Sequence, residues 1–326
     1  MQKIVRCTAF LTLNLFLRWP VWAALWLAGP FYLFQYLFLV YPGSDSNLDG
    51  YYPRRLAKSW LFSKKPTIGG IISKGPGGRG LVLVVPDTVR DFSRSPLTRT
   101  AVLNRLRRTS RSIGAGTIDL AGQLPGIYSR SGISLSQPFV TDDKGTVFCV
   151  METLNEAIKK NCLDRKGLKI AIVGVGYVGG LLFKALKHDG FDVTGIDIAR
   201  TRREIALGKT GRAVLGAADI VIALTPNGSD LLPYLPYLKR GVIIIDYTRP
   251  RIRPESQPPN MAFYKVAVGV GAVHFQPRLW GYLQNWIPGC AVEAMVTAAT
   301  GDFNIRSKEE FNRQAKELGF FAHLVR

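Results

Sequence analysis

Acidic residues and metal-binding side chains are what this chain has least of. Only 23 Asp and Glu stand against 43 Lys and Arg, so the formal net charge is +20 over 326 residues. Four cysteines (Cys7, Cys149, Cys162, Cys290) share no CxxC spacing, which excludes a zinc ribbon and a dense disulfide scaffold. Three histidines (His188, His274, His323) lie far apart and form no His-rich metal centre. Internal repeats and low-complexity tracts are absent. No zinc-finger or RNA-binding signature directs the positive charge at nucleic acid. With 47% hydrophobic and 20% charged residues, wholesale disorder is excluded as well. The length suits one large domain, or two ordinary ones with an appendage.

What is present is unevenly placed. Residues 51–111 hold 14 Lys and Arg, with only Asp87 and Asp91 as counter-charges. Such a segment seeks an anionic lipid surface or an acidic protein; the alternative is a solvated face with charge flanking a membrane segment. Just before it, Trp19–Tyr41 runs uncharged for 23 residues. As a helix that run reaches about 35 Å, enough for a bilayer core. Trp19, Trp22 and Trp26 crowd one end, and Tyr32, Tyr36 and Tyr41 lie toward the other, as interfacial rings do. The run therefore predicts an N-terminal membrane helix within residues 1–45, kinked at Gly29 and Pro30. A re-entrant or in-plane hairpin and a buried core helix are the alternatives. Arg54, Arg55, Lys58, Lys64 and Lys65 after the run, against Lys3 and Arg6 before it, place the bulk of the chain on the cytoplasmic side of a membrane.

Residues 42–66 read as a linker. Apolar runs at 68–72 and 81–85, split by KGPGGRG, predict two strands; 97–110 and 147–160 predict helices, and Gly-rich 112–126 a loop. From residue 168 the pattern sharpens. LKIAIV runs into GVGYVG at 174–179, then an apolar-periodic helix to Gly190, then DVTGIDI at 192–198. Strand, Gly-rich turn, helix, strand and acid make the dinucleotide-binding pattern in its proper context. Gly174 permits the tight turn, Gly176 admits a pyrophosphate, and Gly179 lets helix and strand pack closely, with Tyr177 and Val178 opening the helix. Asp197 stands where an acid grips a ribose 2′-hydroxyl and favours NAD, while Arg200, Arg202 and Arg203 suit a 2′-phosphate, so the cofactor is written NAD(P)H. Further buried strands at 218–226 and 241–250 put Thr225 at a strand end, as a nicotinamide-side contact or a turn cap.

The predicted fold class is α/β: a Rossmann doubly wound parallel sheet with a smaller α/β N-terminal domain and an N-terminal membrane helix. The expected domains are a membrane segment over 1–45, an N-terminal substrate or partner domain over 46–165, and the dinucleotide-binding domain over 166–300. A C-terminal helix within 301–326 is expected to pack back on the N-terminal domain.

Pro288 and Gly289 break the chain before a small, apolar helix, so Cys290 sits at a helix N-terminus. There, backbone N–H groups and the helix dipole favour a thiolate. Glu293, three residues on, can cap the same end and oppose that effect. Read on these residues alone, a buried structural cysteine is the better account.

The stretch CAVEAMVTAATGDFN, with the amphipathic SKEEFNRQAKELGFFAHL after it, resembles the C-terminus of the long-chain fatty acyl-(acyl-carrier-protein) reductases. SIGAGTID at 112–119, TDDKGTVFCVMETLNEA at 141–157, DYTRPRI at 246–252 and VGAVH at 270–274 resemble further parts of that family in the same order. The likeness spans about residues 66–326. Its Gly-rich turn departs from the family's GATGxxG, and the apolar N-terminal run has no counterpart there. The resemblance implies that Cys290 is the acyl-accepting nucleophile of an NAD(P)H-dependent enzyme reducing a lipophilic acyl thioester to an aldehyde, and the uncharged N-terminal run adds the expectation that this enzyme is membrane-associated. His274 is then the candidate acid or orienter. The implied partners are membrane lipid and an acyl thioester, with acyl carrier protein among the carriers. Two rivals stand beside it: a membrane-attached dehydrogenase of an alcohol or a hydroxy or keto acid without covalent catalysis, and a non-catalytic NAD(P)-binding membrane protein.

Overall fold

A computed structural model of the chain describes residues 8, 11–31, 33–43, 59, 61–73, 75–141, 143–197, 209–248, 251–266, 268–269, 273–277, 286–303, 305 and 307–325. It divides into two compact units. The first holds residues 1–145 and 269–320, the second residues 146–268 and 321–326. The first unit is thus the larger, not the smaller domain the sequence suggests.

The first unit corrects the reading of the uncharged run. Residues Arg18–Leu27 form helix α1, Gly29–Phe31 a single 3-10 turn, and Tyr36–Val40 strand β1. Among the described residues no helix is long and apolar enough to cross a membrane. The physical reason lies in the run itself. Gly29 presses so closely on α3 (Pro96–Ile113, below) that a Cβ there would stand 2.6 Å from the Ser112 carbonyl oxygen. YLFLV then adopts the extended form, and its first four residues are buried.

β1 is an inner strand of a six-stranded mixed sheet. Thr67–Ser73 (β2) and Gly80–Val84 (β3) follow the expected runs closely. Helices α2 (Val89–Arg94) and α3 (Pro96–Ile113) come next, α3 being N-capped by Ser95 and ended by Gly114 in the left-handed region. The Gly-rich stretch expected to be a loop instead contains strand β4 (Thr117–Leu120) and the start of α4 (Leu124–Arg130). Phe139–Val140 is β5. The sheet order is His274–Gln276, β2, β3, β1, β4, β5, with β3, β1, β4 and β5 parallel and the other two strands antiparallel to their neighbours. Leu37, Leu39, Leu81, Leu83, Ile118 and Leu120 turn one face of the sheet to α3 and α4 and form its main core. Each such side chain contributes roughly 1.5–3 kcal/mol by leaving water.

Helix α5 (Asp143–Lys160) leads into the second unit. There β6 (Lys169–Val173), α6 (Tyr177–His188), β7 (Asp192–Ile196), α7 (Lys209–Ala217), β8 (Ile220–Ala223), β9 (Ile243–Asp246) and β10 (Ala262–Lys265) alternate. All five strands are parallel, in the order β10, β9, β8, β6, β7. Every residue of β8 and β9 is buried, so both faces of the sheet are covered, as in a Rossmann-like sheet. Winding reverses between β6 and β8, which makes that pair the topological switch point.

The chain then returns to the first unit. Helix α8 (Gly289–Thr300) carries Cys290 and packs on β1 and β4. It belongs to the first unit, not to the dinucleotide-binding domain whose expected limit is residue 300. Helix α9 (Lys308–Glu317) packs on α8 and buries Phe311 and Ala315.

Candidate functional site

In the second unit, the glycines after β6 divide the work that a dinucleotide turn needs. Gly174 has φ +100°, and a Cβ there would lie 2.8 Å from the Leu224 carbonyl carbon, at the switch point between β6 and β8. Gly179 lies so close to the Gly174 carbonyl oxygen that a Cβ would collide with it. Gly176, between them, has nothing within 4 Å of where a Cβ would stand. Two glycines are thus required by the protein's own packing, and the third leaves open space. That is the room a pyrophosphate occupies in this fold. Gly176 is also the N-cap of α6 and offers no side chain to its first N–H groups. Tyr177 and Val178 are the first two residues of the helix, both half-buried.

Asp197 follows directly on β7, at the C-terminal edge where ligands of open parallel sheets lie. Arg200, and with it Arg202 and Arg203, lies outside the described residues. Thr225 is placed beyond β8 as expected, but its Oγ1 donates to the Asn227 carbonyl at 2.9 Å, so the hydroxyl serves its own turn. Asp246, unremarked in the sequence, organises the next loop. One carboxylate oxygen accepts from the Thr248 N–H and hydroxyl, the other from the Ile252 N–H at 3.1 Å. A cavity of about 560 Å³ lies at the opposite end of the same sheet, where Gly241, Ile243, Ala262 and Asn161 line it. That is the wrong end of the strands for the turn.

The first unit holds the second group of candidates. Cys290 sits in the first turn of α8, 9% exposed, behind an extended N-cap, Pro288, that supplies no side-chain hydrogen bond. Glu293 does not fold back on its own helix. Its oxygens accept from the Lys144 N–H at 3.0 Å and the Lys144 ammonium at 3.3 Å, so it caps the start of α5 instead. Gly145 makes this approach feasible, because a Cβ there would stand 2.6 Å from the Gly289 carbonyl oxygen.

Asp119 on β4 is the residue that sequence reasoning misses. It is fully buried, and neither carboxylate oxygen has a hydrogen-bond partner among the described residues. The hydroxyl of Tyr36, also fully buried, is in the same position. Burial, then the charge of Glu293, holds the Asp119 carboxyl well above the usual carboxylate range. Burial, then Asp143, raises Glu293 too, against the opposing pull of Lys144. Burial, with the charge of Asp119 added, raises the Tyr36 phenol. The first unit therefore holds a buried carboxyl group whose surroundings favour its neutral form over its charged one. Its only signal in the sequence is a lone acid in the alternating run TIDL.

His274 is not brought to Cys290. It opens the antiparallel edge strand rather than closing a parallel one. Its neighbour Phe275 meets Phe38, ring centroids 6.3 Å apart, on the face that also carries Asp119. Strand alternation sends His274 to the other face, away from the side α8 covers. Among the described residues no group of His, Cys, Asp and Glu could hold a metal ion.

By fold, then, the chain joins an α/β unit with a buried acidic cluster to a Rossmann-like unit with a dinucleotide-type turn. No protein-family model matches it. It is similar to a mannitol dehydrogenase from Apium graveolens, 37% identical over 111 residues, which span 30% of this chain and 30% of that protein. Among solved structures, a malic enzyme from Pyrococcus horikoshii covers 94% of this chain and 88% of its own at 13% identity, with a TM-score of 0.43. A dipicolinate synthase from Bacillus halodurans covers 43% of this chain and 52% of its own at 16% identity, with a TM-score of 0.31.

Proposed function

We propose that the chain is an NAD(P)-dependent oxidoreductase that passes a hydride directly between the nicotinamide and an alcohol or a hydroxy or keto acid. One observation carries the cofactor assignment: Gly174 and Gly179 are fixed by packing, while Gly176 between them faces open space. The N–H groups at the start of α6 would hold the pyrophosphate and Asp197 the ribose, and the bound nicotinamide supplies or accepts the hydride. The similarity to a protein named mannitol dehydrogenase supports the same reading over its short span. Direct transfer is favoured over a covalent route because Cys290 is largely covered, as are its neighbours along the same helix as far as Thr297. Titration of the full chain with NADH and NADPH, followed by turnover on alcohols and hydroxy acids, tests it. Gly176→Val is expected to abolish cofactor binding with the fold intact. Unchanged affinity in that variant overturns the assignment.

A second reading has its own observation. Cys290 does stand in the first turn of a twelve-residue helix, and Glu293 is drawn off to α5 instead of occupying that terminus. On this reading the Cys290 thiolate attacks an acyl thioester and expels the carrier thiol. Hydride then reduces the acyl-enzyme, and release of an aldehyde returns the thiolate. Mass spectrometry after incubation with long-chain acyl thioesters separates the two. Acylation of the parent chain but not of Cys290→Ala supports the covalent route, and full activity of Cys290→Ala removes it.

A further inference from the structure

Helix α1 poses a problem that the rest of the fold does not solve. Its inner residues Val21, Trp22 and Leu25 pack on the main core of the first unit. A helix that has satisfied one face normally turns polar residues to water on the other. Here every exposed residue from Phe16 to Leu27 is apolar. Trp19 is 83% exposed, Phe16 79% and Phe31 78%, with Leu27 and Trp26 close behind. Exposed apolar surface gathered in this way marks a contact with something else.

The charges beside it say what. α1 packs on α3, which carries Arg105 and Arg108. Arg18, at the head of α1, and Lys65, just before β2, stand close enough to join them. The ammonium of Lys65 is lowered by burial first and then by Arg18 and Arg105. The guanidinium of Arg105 is lowered by burial, Arg18 and Arg108, with Asp87 the opposing charge. Cations gathered against their own repulsion, next to exposed tryptophans, match the headgroup layer of an anionic membrane. Tryptophan rings settle at that depth, and acidic lipids attract lysine and arginine.

We propose that the first unit seats on an anionic lipid surface through the outer face of α1 and the 3-10 turn after it, with Trp19, Trp26 and Phe31 entering the headgroup boundary and Arg18, Lys65, Arg105 and Arg108 meeting the lipid phosphates. The attachment lies in the membrane plane. α1 has 10 residues, about 15 Å, roughly half a bilayer core. The chain beyond it turns back into the sheet as β1. A second copy fits this face poorly, because a two-fold contact would bring the same cations together. The attachment rests on neither substrate reading.

Co-sedimentation with phosphatidylcholine–phosphatidylglycerol vesicles, against phosphatidylcholine alone, is the test. The full chain is expected to bind the mixed vesicles at least ~tenfold more tightly, less so at high salt, with quenching of tryptophan emission by brominated lipid. The double variant Trp19→Ser/Trp26→Ser changes only exposed side chains. It should keep its thermal midpoint and lose about tenfold in vesicle affinity. Arg105→Gln/Arg108→Gln should weaken the preference for phosphatidylglycerol. Absence of vesicle binding overturns the proposal, as does equal binding by the tryptophan variant. So does a dimer in sedimentation velocity that the same variant dissociates.

Discussion

A methyl group added at Gly176 meets open space, whereas one added three residues on, at Gly179, meets the carbonyl oxygen of Gly174. Gly176→Ala is therefore expected to change stability by no more than about 0.5 kcal/mol and to act on cofactor affinity. Gly179→Ala should cost about 1–3 kcal/mol through overpacking before any cofactor is added. Denaturant melts with and without NADH separate the two. Asp119 makes a different prediction. Burial raises its carboxyl in the fold above the ordinary value it has when unfolded, so its contribution to stability is complete below about pH 4. That contribution is lost as pH rises toward the raised folded value. Asp119→Asn, neutral at every pH, should lower this slope and raise the thermal midpoint at neutral pH relative to the parent chain. A parallel pH dependence for the two proteins would show that Asp119 ionises normally in the fold.

At the scale of elements, the run from Trp19 to Tyr41 is the instructive case. Uncharged length is what a bilayer helix and a helix–turn–strand segment of a core have in common. The residues that separate them, Gly29 and the strand-forming YLFLV, read in isolation as a kink and an aromatic belt. The consequence is measurable. Leu37 is fully buried in an inner strand, so Leu37→Ala should destabilise the first unit by about 2–5 kcal/mol in chemical denaturation. A lipid-facing leucine would not respond so. The helices over 97–110 and 147–160 and the strands at 68–72 and 81–85 are legible in the sequence, because the spacing of their apolar residues is local. β4 is hidden by its neighbours Gly114, Gly116 and Gly122, which read as loop.

At the scale of the whole molecule, one main core among the described residues is built on β1 and another on β6, β8 and β9. If the turn after β6 holds the cofactor, NAD(P)H should stabilise the native chain by mass action. Free ligand at a hundred times its Kd is worth about 2.7 kcal/mol. Calorimetry should place that gain in the transition of the second unit, and Gly176→Val should abolish it.

The sequence by itself determined the dinucleotide turn. Its glycines, its strand and its helix are neighbours in the chain, and the contact of Gly179 with the Gly174 carbonyl falls within six consecutive residues. Tertiary structure alone decided that YLFLV is an inner strand, that Asp119 is sealed without a partner among the described residues, and that Glu293 answers to Lys144 rather than to Cys290. Those outcomes depend on surfaces that meet across as many as 149 residues of chain, and no local pattern records which of them will be buried together.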